Sequence, residues 1–325
     1  MFNVTRLLST ALLICCFALP GVPAGAQNYP VKPVRVVAGF PPGAGVDIMT
    51  RLVMPKLGEA LGQQFIVDNR AGAAGNIAAE LVSKASPDGY TLLAASAPIT
   101  MSQALYKRLN YNLERDFEPV GLMASAPFVL VVHPSLPVKS VKEFIALAKA
   151  HPGQLYYASS GNGSTPHLSM EMFKSAAGIK LVHVPYRGSP QAVIDILSGQ
   201  VQAMFANTLS VLPQVRAGRL RALAISSAKR SGSAPGLPTV AESGMSGYEA
   251  ATWFALFAPA GTARDIINRL NGEMVRIIAT ADMKAAILAQ GADPVTGTPE
   301  QVRAFVRSEV DKWGKVVRAV GITPE

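Results

Sequence analysis

The sequence predicts an α/β protein: two mostly parallel sheets flanked by helices, joined by two long strands that cross between the units. Three observations carry this reading. Short apolar runs of strand length alternate with helical patterns nearly end to end, as helix-covered parallel sheets require. The extended run VGLMASAPFVLVVHP (120–134) is longer than an ordinary strand and long enough to pass between two domains. Finally, a chain of 325 residues is long enough to split into two cores once its leader is set aside.

The leader comes first. Arg6 precedes the apolar run LLSTALLICCFAL (7–19), which is too short for a bilayer crossing of about 20 residues. AGA (24–26) has the small-x-small form of a signal-peptidase site, so residues 1–26 read as a signal peptide cleaved before Gln27. A retained membrane anchor is the alternative. Lipid attachment is disfavoured, because Ile14 is bulky and Cys15 and Cys16 lie inside the apolar core. These are the only two cysteines of the chain. Residues 27–325 therefore exclude disulfides, thiol catalysis and thiolate metal sites, and an exported chain of this kind is held by packing alone.

The first unit starts with the strand VRVVAGF (34–40) and a helical pattern from Ile48 to Leu61, in which Pro55 predicts a kink or an early stop. FIVDN (65–69) is a strand, GAAGNIAAELVSKA a loop entering a helix, and YTLLAAS (90–96) a third strand. After the crossing run, the second unit reads SVKEFIALAKAHP (helix), LYYASS (strand), TPHLSMEMFKSAAG (helix), LVHVPY (strand), AVIDILSG (helix) and VQAMFAN (strand). LRALAISS (220–227) and TWFALFAPAG (252–261) are extended, the latter suited to the crossing back. Helical patterns at 263–279, 282–289 and 299–319 finish the chain. This gives one domain over 27–127 with 255–325 and another over 128–254, a hinged pair with a cleft at the strand ends.

The stretch GFPPGAGVDIMTR (39–51) poses the functional question. Its prolines break the strand, its glycines allow a tight turn, and Asp47 stands where a helix N-cap would. It is not a nucleotide loop: Ile48 fills the third glycine position of the dinucleotide fingerprint, and no Gly-Lys-Ser/Thr ending follows. What remains is a nest of N–H groups at a helix start, suited to a carboxylate, or a plain turn. NRAGAAGN (69–76) repeats the theme, with small side chains at Ala74 and Gly75 that admit close approach; Ser96 ends the third strand.

In SSGNGSTPH (159–167), Ser164 or Thr165 caps a helix starting at Pro166, with His167 in its first turn. A Ser-His hydrolase using Ser159, Ser160 or Ser164 is the enzymic alternative. Against it stand the missing G-x-S-x-G elbow and the lack of an acid placed to orient His167. HVPYRGSP (183–190) puts Tyr186 and Arg187 at a strand end, where an arginine suits a carboxylate. MFANT (204–208) offers Asn207 and Thr208. His133, His151, His167 and His183 form no zinc pattern. The formal charge of +9 favours anionic ligands, while the scattered basic residues lack the aromatic ladder of a nucleic-acid binder. All five loops fall at predicted strand C-terminal ends, where open α/β sheets bind ligands.

YPVKPVRVVAGFPPGAGVD, VDNRAGAAGNIAAELVSKASPDGYTLL, YASSGNGSTPHLSMEMFKSAAG, HVPYRGSPQAVIDILSGQVQAMF, RALAISSAKRSGSAPGLPTVAESG and WFALFAPAGT together resemble the Bug-type (TctC-like) extracytoplasmic solute receptors of tripartite tricarboxylate transporters. The resemblance spans nearly the whole chain after the leader. It implies a type II periplasmic-binding (Venus flytrap) fold and a periplasmic monomer. It also implies capture of a small carboxylate (a di- or tricarboxylate or an aromatic acid) and its delivery to an integral-membrane permease, with no cofactor, metal or catalytic residue. By this resemblance Phe40, Gly43, Ala44, Gly45 and Asp47 form one jaw, with Ala74, Gly75 and Ser96 beside it. Ser164, Thr165, His167, Tyr186, Arg187 and Asn207 form the other. Two departures stand out. Val46 replaces a common threonine, and Ala206 stands where many relatives carry aspartate, which points to a ligand without an essential ammonium group. A ligand sensor for a two-component membrane kinase is the alternative within the same fold.

Overall fold

The computed structural model describes residues 29–186 and 188–321. The predicted leader, its cleavage point included, lies outside the described residues. The first half is built from β1 (Val34–Ala38), α1 (Gly45–Leu61), β2 (Phe65–Asn69), a 3-10 turn (Ala73–Gly75), α2 (Asn76–Ser83), β3 (Thr91–Ser96) and α3 (Pro98–Leu105). Val34, Val36, Val37 and Ala38 are fully buried, the continuous burial of a strand covered on both faces. Pro55 does not end α1, which runs on to Leu61 and closes at Gly62 with φ 74°. Val53, Met54 and Leu57 are fully buried around it, and their burial outweighs the one hydrogen bond that proline removes.

β4 (Phe117–Val132), with 16 residues, then leads into α4 (Val141–Ala150), β5 (Tyr156–Ser159), α5 (Thr165–Ala177), β6 (Val182–Pro185), α6 (Ser189–Leu197), β7 (Ala203–Asn207), α7 (Thr208–Arg216) and β8 (Arg221–Ile225). The chain returns in β9 (Ala251–Pro259) and finishes with α8 (Arg264–Ala279), α9 (Ala281–Ala289), the short β10 (Asp293–Pro294) and α10 (Pro299–Val320). The sheet order is β2-β1-β3-β9-β4-β7-β5-β6, with β8 and β10 also paired to β4. β1 is parallel to β2 and β3, and β5 is parallel to β6 and β7. β4 changes partners midway. Phe117–Pro127 pairs antiparallel with β9, whereas Phe128–Val132 pairs with β7 and β8. The two halves are thus α/β layers on either side of one long strand.

The return link is fastened where β4 crosses. Ser226, fully buried just after β8, exchanges backbone hydrogen bonds with Phe128 and Ala250. Its hydroxyl accepts from the Phe128 N–H at 2.8 Å and donates to the Ala250 carbonyl. Behind the crossing, α10 packs on α3, α5 and β4. Buried Glu309 accepts from the indole N–H groups of Trp253 (3.1 Å) and Trp313 (2.9 Å), tying α10 to β9. Among the described residues no helix is long and apolar enough to cross a membrane.

Candidate functional site

A cleft of about 600 Å³ opens between the halves. Its floor is the crossing itself, Ala126, Pro127 and Phe128. One wall is the loop after β1 (Phe40 and Gly43–Val46), with Ala74, Ser96 and Pro98 beside it. Facing it are Ser160 and Asn162–Thr165 after β5, and Asn207 and Thr208 after β7. None of the described lining residues carries a charged side chain. Anion attraction must come from elsewhere, and the geometry supplies it: α1, α5 and α7 all start at the cleft, from both halves. Their first-turn amides have no intrahelical acceptor and carry the positive end of the helix dipole.

The first-half jaw depends on residues behind it. α1 starts at Gly45 with Ala44 at the N-cap, so Asp47 is the third helical residue and not the cap. Asp47 does not line the cleft; its carboxylate is buried and accepts from the Gly43 N–H (2.9 Å), Asn69 Nδ2 (2.8 Å) and Arg51 Nε (2.9 Å). Burial alone would raise its pKa, but the bonds from Gly43, Asn69 and Arg51 outweigh that and hold the carboxyl below its usual range. Gly43, at φ 83°, occupies the left-handed region that lets the loop turn. Gly75 also lies off the cleft. A Cβ on Gly39 would stand 2.7 Å from the Gly75 Cα, so this glycine pair brings the loops after β1 and β2 together.

In the second half Ser164 caps α5, accepting from the His167 N–H at 3.4 Å and donating to the Gly161 carbonyl at 2.7 Å. The helix begins at Thr165, so of the two cap candidates Ser164 is the cap and Thr165 the first helical residue. His167 is turned away from the cleft; its Nδ1 accepts from the Gly163 N–H at 3.0 Å, and its ring stacks on His183. Tyr186 is likewise off the cleft, with its hydroxyl donated to Asp195 at 2.8 Å. Burial and that carboxylate push the phenol up to about 12. Arg187 lies outside the described residues. Asn207 is exposed at the start of α7, and the Thr208 hydroxyl donates to the Pro127 carbonyl at 3.0 Å.

Of the predicted site residues, then, Phe40, Gly43, Ala44, Gly45, Ala74, Ser96, Ser164, Thr165 and Asn207 line one cleft. Sequence reasoning missed the floor residues, and Leu105, Tyr106, Thr252, Phe254 and Gln290–Ala292. Phe254 sits so close to α1 that a Cβ on Gly45 would come 3.0 Å from its ring. Ala206 is buried among Val129, Ala158 and Met204 in the second half's core and does not line the cleft. The departure expected at Ala206 therefore cannot act by direct contact with a ligand. Among the described residues no group of three or more His, Cys, Asp or Glu is placed for a metal. The hydrolase alternative finds little support in the geometry. Ser164 does not engage the His167 ring, and Ser159, which does meet His183 at 2.7 Å, is fully buried off the cleft.

The family described as "Tripartite tricarboxylate transporter family receptor" matches residues 49–322. Protein BugT of Bordetella pertussis is 40% identical over 321 residues, 98% of each chain. The solved structure of R. palustris Rpa4515 with adipate is 38% identical at a TM-score of 0.78, covering 91% of this chain and 100% of that one. MatC from Rhodopseudomonas palustris with bound malate is 30% identical at a TM-score of 0.72, covering 89% of this chain and 100% of that one. With this match on an α/β fold whose cleft opens between two halves, the chain belongs to the tripartite tricarboxylate transporter receptor family.

Proposed function

We propose that this receptor works in the periplasm, captures a small dicarboxylate in the interdomain cleft and delivers it to the integral-membrane permease of a tripartite transporter. The observation that carries the reading is a cleft with no charged side chain among its described lining residues, into which the starts of α1, α5 and α7 converge from both halves. One carboxylate is held at the Gly45 and Val46 amides that open α1, the other at Thr165 and Asn207, while Gly43 and Ser164 shape the two loops. Phe40, Phe128 and Phe254 flank the carbon chain or, in an aromatic acid, the ring. Relatives bound to adipate and to malate support this chemistry. An ammonium group would find no carboxylate among the described lining residues, so amino acids are poor ligands.

The task is binding and not turnover, and the cleft needs no cofactor for it. Residues 128–250 close against 29–127 with 251–321 by bending at Pro127–Phe128 and Ala250–Ala251, β9 staying with the first half to which it pairs. The closed shape is what the permease recognises. Thermal melting of residues 27–325 against dicarboxylates, citrate, aromatic acids and amino acids tests the reading, because a ligand that binds the native state raises the melting temperature. A shift with dicarboxylates and none with amino acids is expected. No shift with any acid, from folded and ligand-free protein, would overturn it.

A further inference from the structure

Behind the loop that joins β5 to α5, two imidazoles lie face to face. The rings of His167 in α5 and His183 in β6 have centroids 4.0 Å apart and planes 6° apart, and the Tyr157 ring of β5 lies nearly parallel beside them, 4.8 Å from His183 and 6.5 Å from His167. Each imidazole holds one part of the loop. His167 Nδ1 accepts from the Gly163 N–H at 3.0 Å. His183 Nε2 meets Ser159 Oγ at 2.7 Å, and that hydroxyl contacts both the N–H and the carbonyl of Gly161 at 3.1 Å. Gly161 and Gly163 have φ of 130° and 70°, a backbone region that side chains rarely adopt, so the loop's shape depends on these ties. The same loop presents Gly163, Ser164 and Thr165 to the cleft.

The His167 tie requires a neutral ring. His183 Nε2 can meet Ser159 Oγ as donor or acceptor, so a proton on His183 acts through the charge it brings to the facing ring. A nitrogen that accepts an amide hydrogen bond carries no proton, and a proton on His167 Nδ1 would set donor against donor at Gly163. Two imidazolium rings at this separation also repel. The other titratable groups facing the pair are Glu171 and Lys174 of α5 and Tyr157 of β5. Glu171 is already engaged, accepting from Lys174 at 2.5 Å and from the Tyr157 hydroxyl. Burial, as the chief cause, holds both imidazoles below their ordinary range; for His183 the neighbouring His167 adds to it.

We propose that His167 and His183 are positioning residues for ligand capture: neutral, they hold the Gly161–Thr165 loop in its binding shape, and on taking up a proton they release the loop and the ligand with it. The ligand part of this rests on the carboxylate reading of the cleft; the loop part does not.

The test uses variants that keep the ties but cannot titrate in this range. His167→Asn places an amide oxygen about where Nδ1 stands, and His183→Gln keeps a polar end for Ser159. Amide-exchange protection of residues 160–165 is measured without ligand, and affinity is measured with adipate as the probe. Both run from about pH 7.5 to about pH 3.5, from the ordinary histidine range to below the depressed value of about 4 at His183 in the folded protein. In the wild type, loop protection is expected to fall with pH. Adipate affinity is expected to fall about tenfold beyond adipate's own ionisation, roughly one lost hydrogen bond. The double variant, or His167→Asn alone if the double variant does not fold, keeps both. Constant loop protection in the wild type, or the same decline in the variants, overturns the proposal. If adipate does not bind at the higher pH while the loop still loosens in the wild type only, the carboxylate reading fails and the loop mechanism stands.

Discussion

Asp47 does its work one layer behind the cleft. Its carboxylate gathers the Gly43 N–H, Asn69 and Arg51 and so fixes the turn whose neighbours line the binding wall. In Asp47→Asn an amide N–H₂ replaces one carboxylate oxygen and faces a donor. We expect a loss of about 1–3 kcal/mol, the cost of a buried group left unpaired, read by urea unfolding at neutral pH. The carboxyl is held below its ordinary value of 3.8, so the folded state binds this proton less readily than the unfolded chain. Its contribution is therefore full above that value and is lost as pH falls through the lower, folded one. The gap between wild type and variant should close over the same acid range. Read from the sequence, Asp47 and His167 belong to the two jaws, whereas neither lines the cleft: their direction was not legible. A polar side chain in a helix's first turn can face a ligand or bind its own loop, and only tertiary packing decides.

At the scale of elements, strands were the most legible part. FIVDN was read with the bounds it has, and the long run at 120–134 does cross between halves, its mostly buried apolar residues leaving little other choice there. α3 and α7 were missed. α3 buries four consecutive residues, Ile99–Ser102, so it shows no helical periodicity, and α7 carries Pro213 inside it. The strand-end loops of the cleft were found because their position follows from topology. Thr252, Phe254 and Gln290–Ala292 were not, since they reach the cleft only through the long-range packing of β9 and the turn before β10. The element with most leverage is the end of β8, where Ser226 fastens both links. Ser226→Ala removes the hydroxyl bonds to Phe128 and Ala250 together. The expected loss is about 2–3 kcal/mol, checked by chemical unfolding, with stronger protease cleavage near Ala250 in the native variant.

For the molecule as a whole, acid should be harmful before most carboxylates titrate. His183 is depressed from 6.5 to about 4 inside the fold. Between those values the unfolded chain holds a proton that the folded one refuses, so stability is full above the upper value and erodes as pH falls toward the lower. Melting temperature measured across this range should decline steadily, and the decline should be shallower in His183→Gln. An equal slope in the two proteins would assign the loss to other groups. The sheet order carries a different consequence, one of timing. β9 lies between β3 and β4, yet it is made long after both. During synthesis the second half, contiguous in sequence, has all its strands before Ala251 appears, while β3 and the first part of β4 wait with open edges for a partner. The half that emerges first must therefore be finished last, and a chain stopped anywhere before β9 would be left with its stickiest surfaces bare.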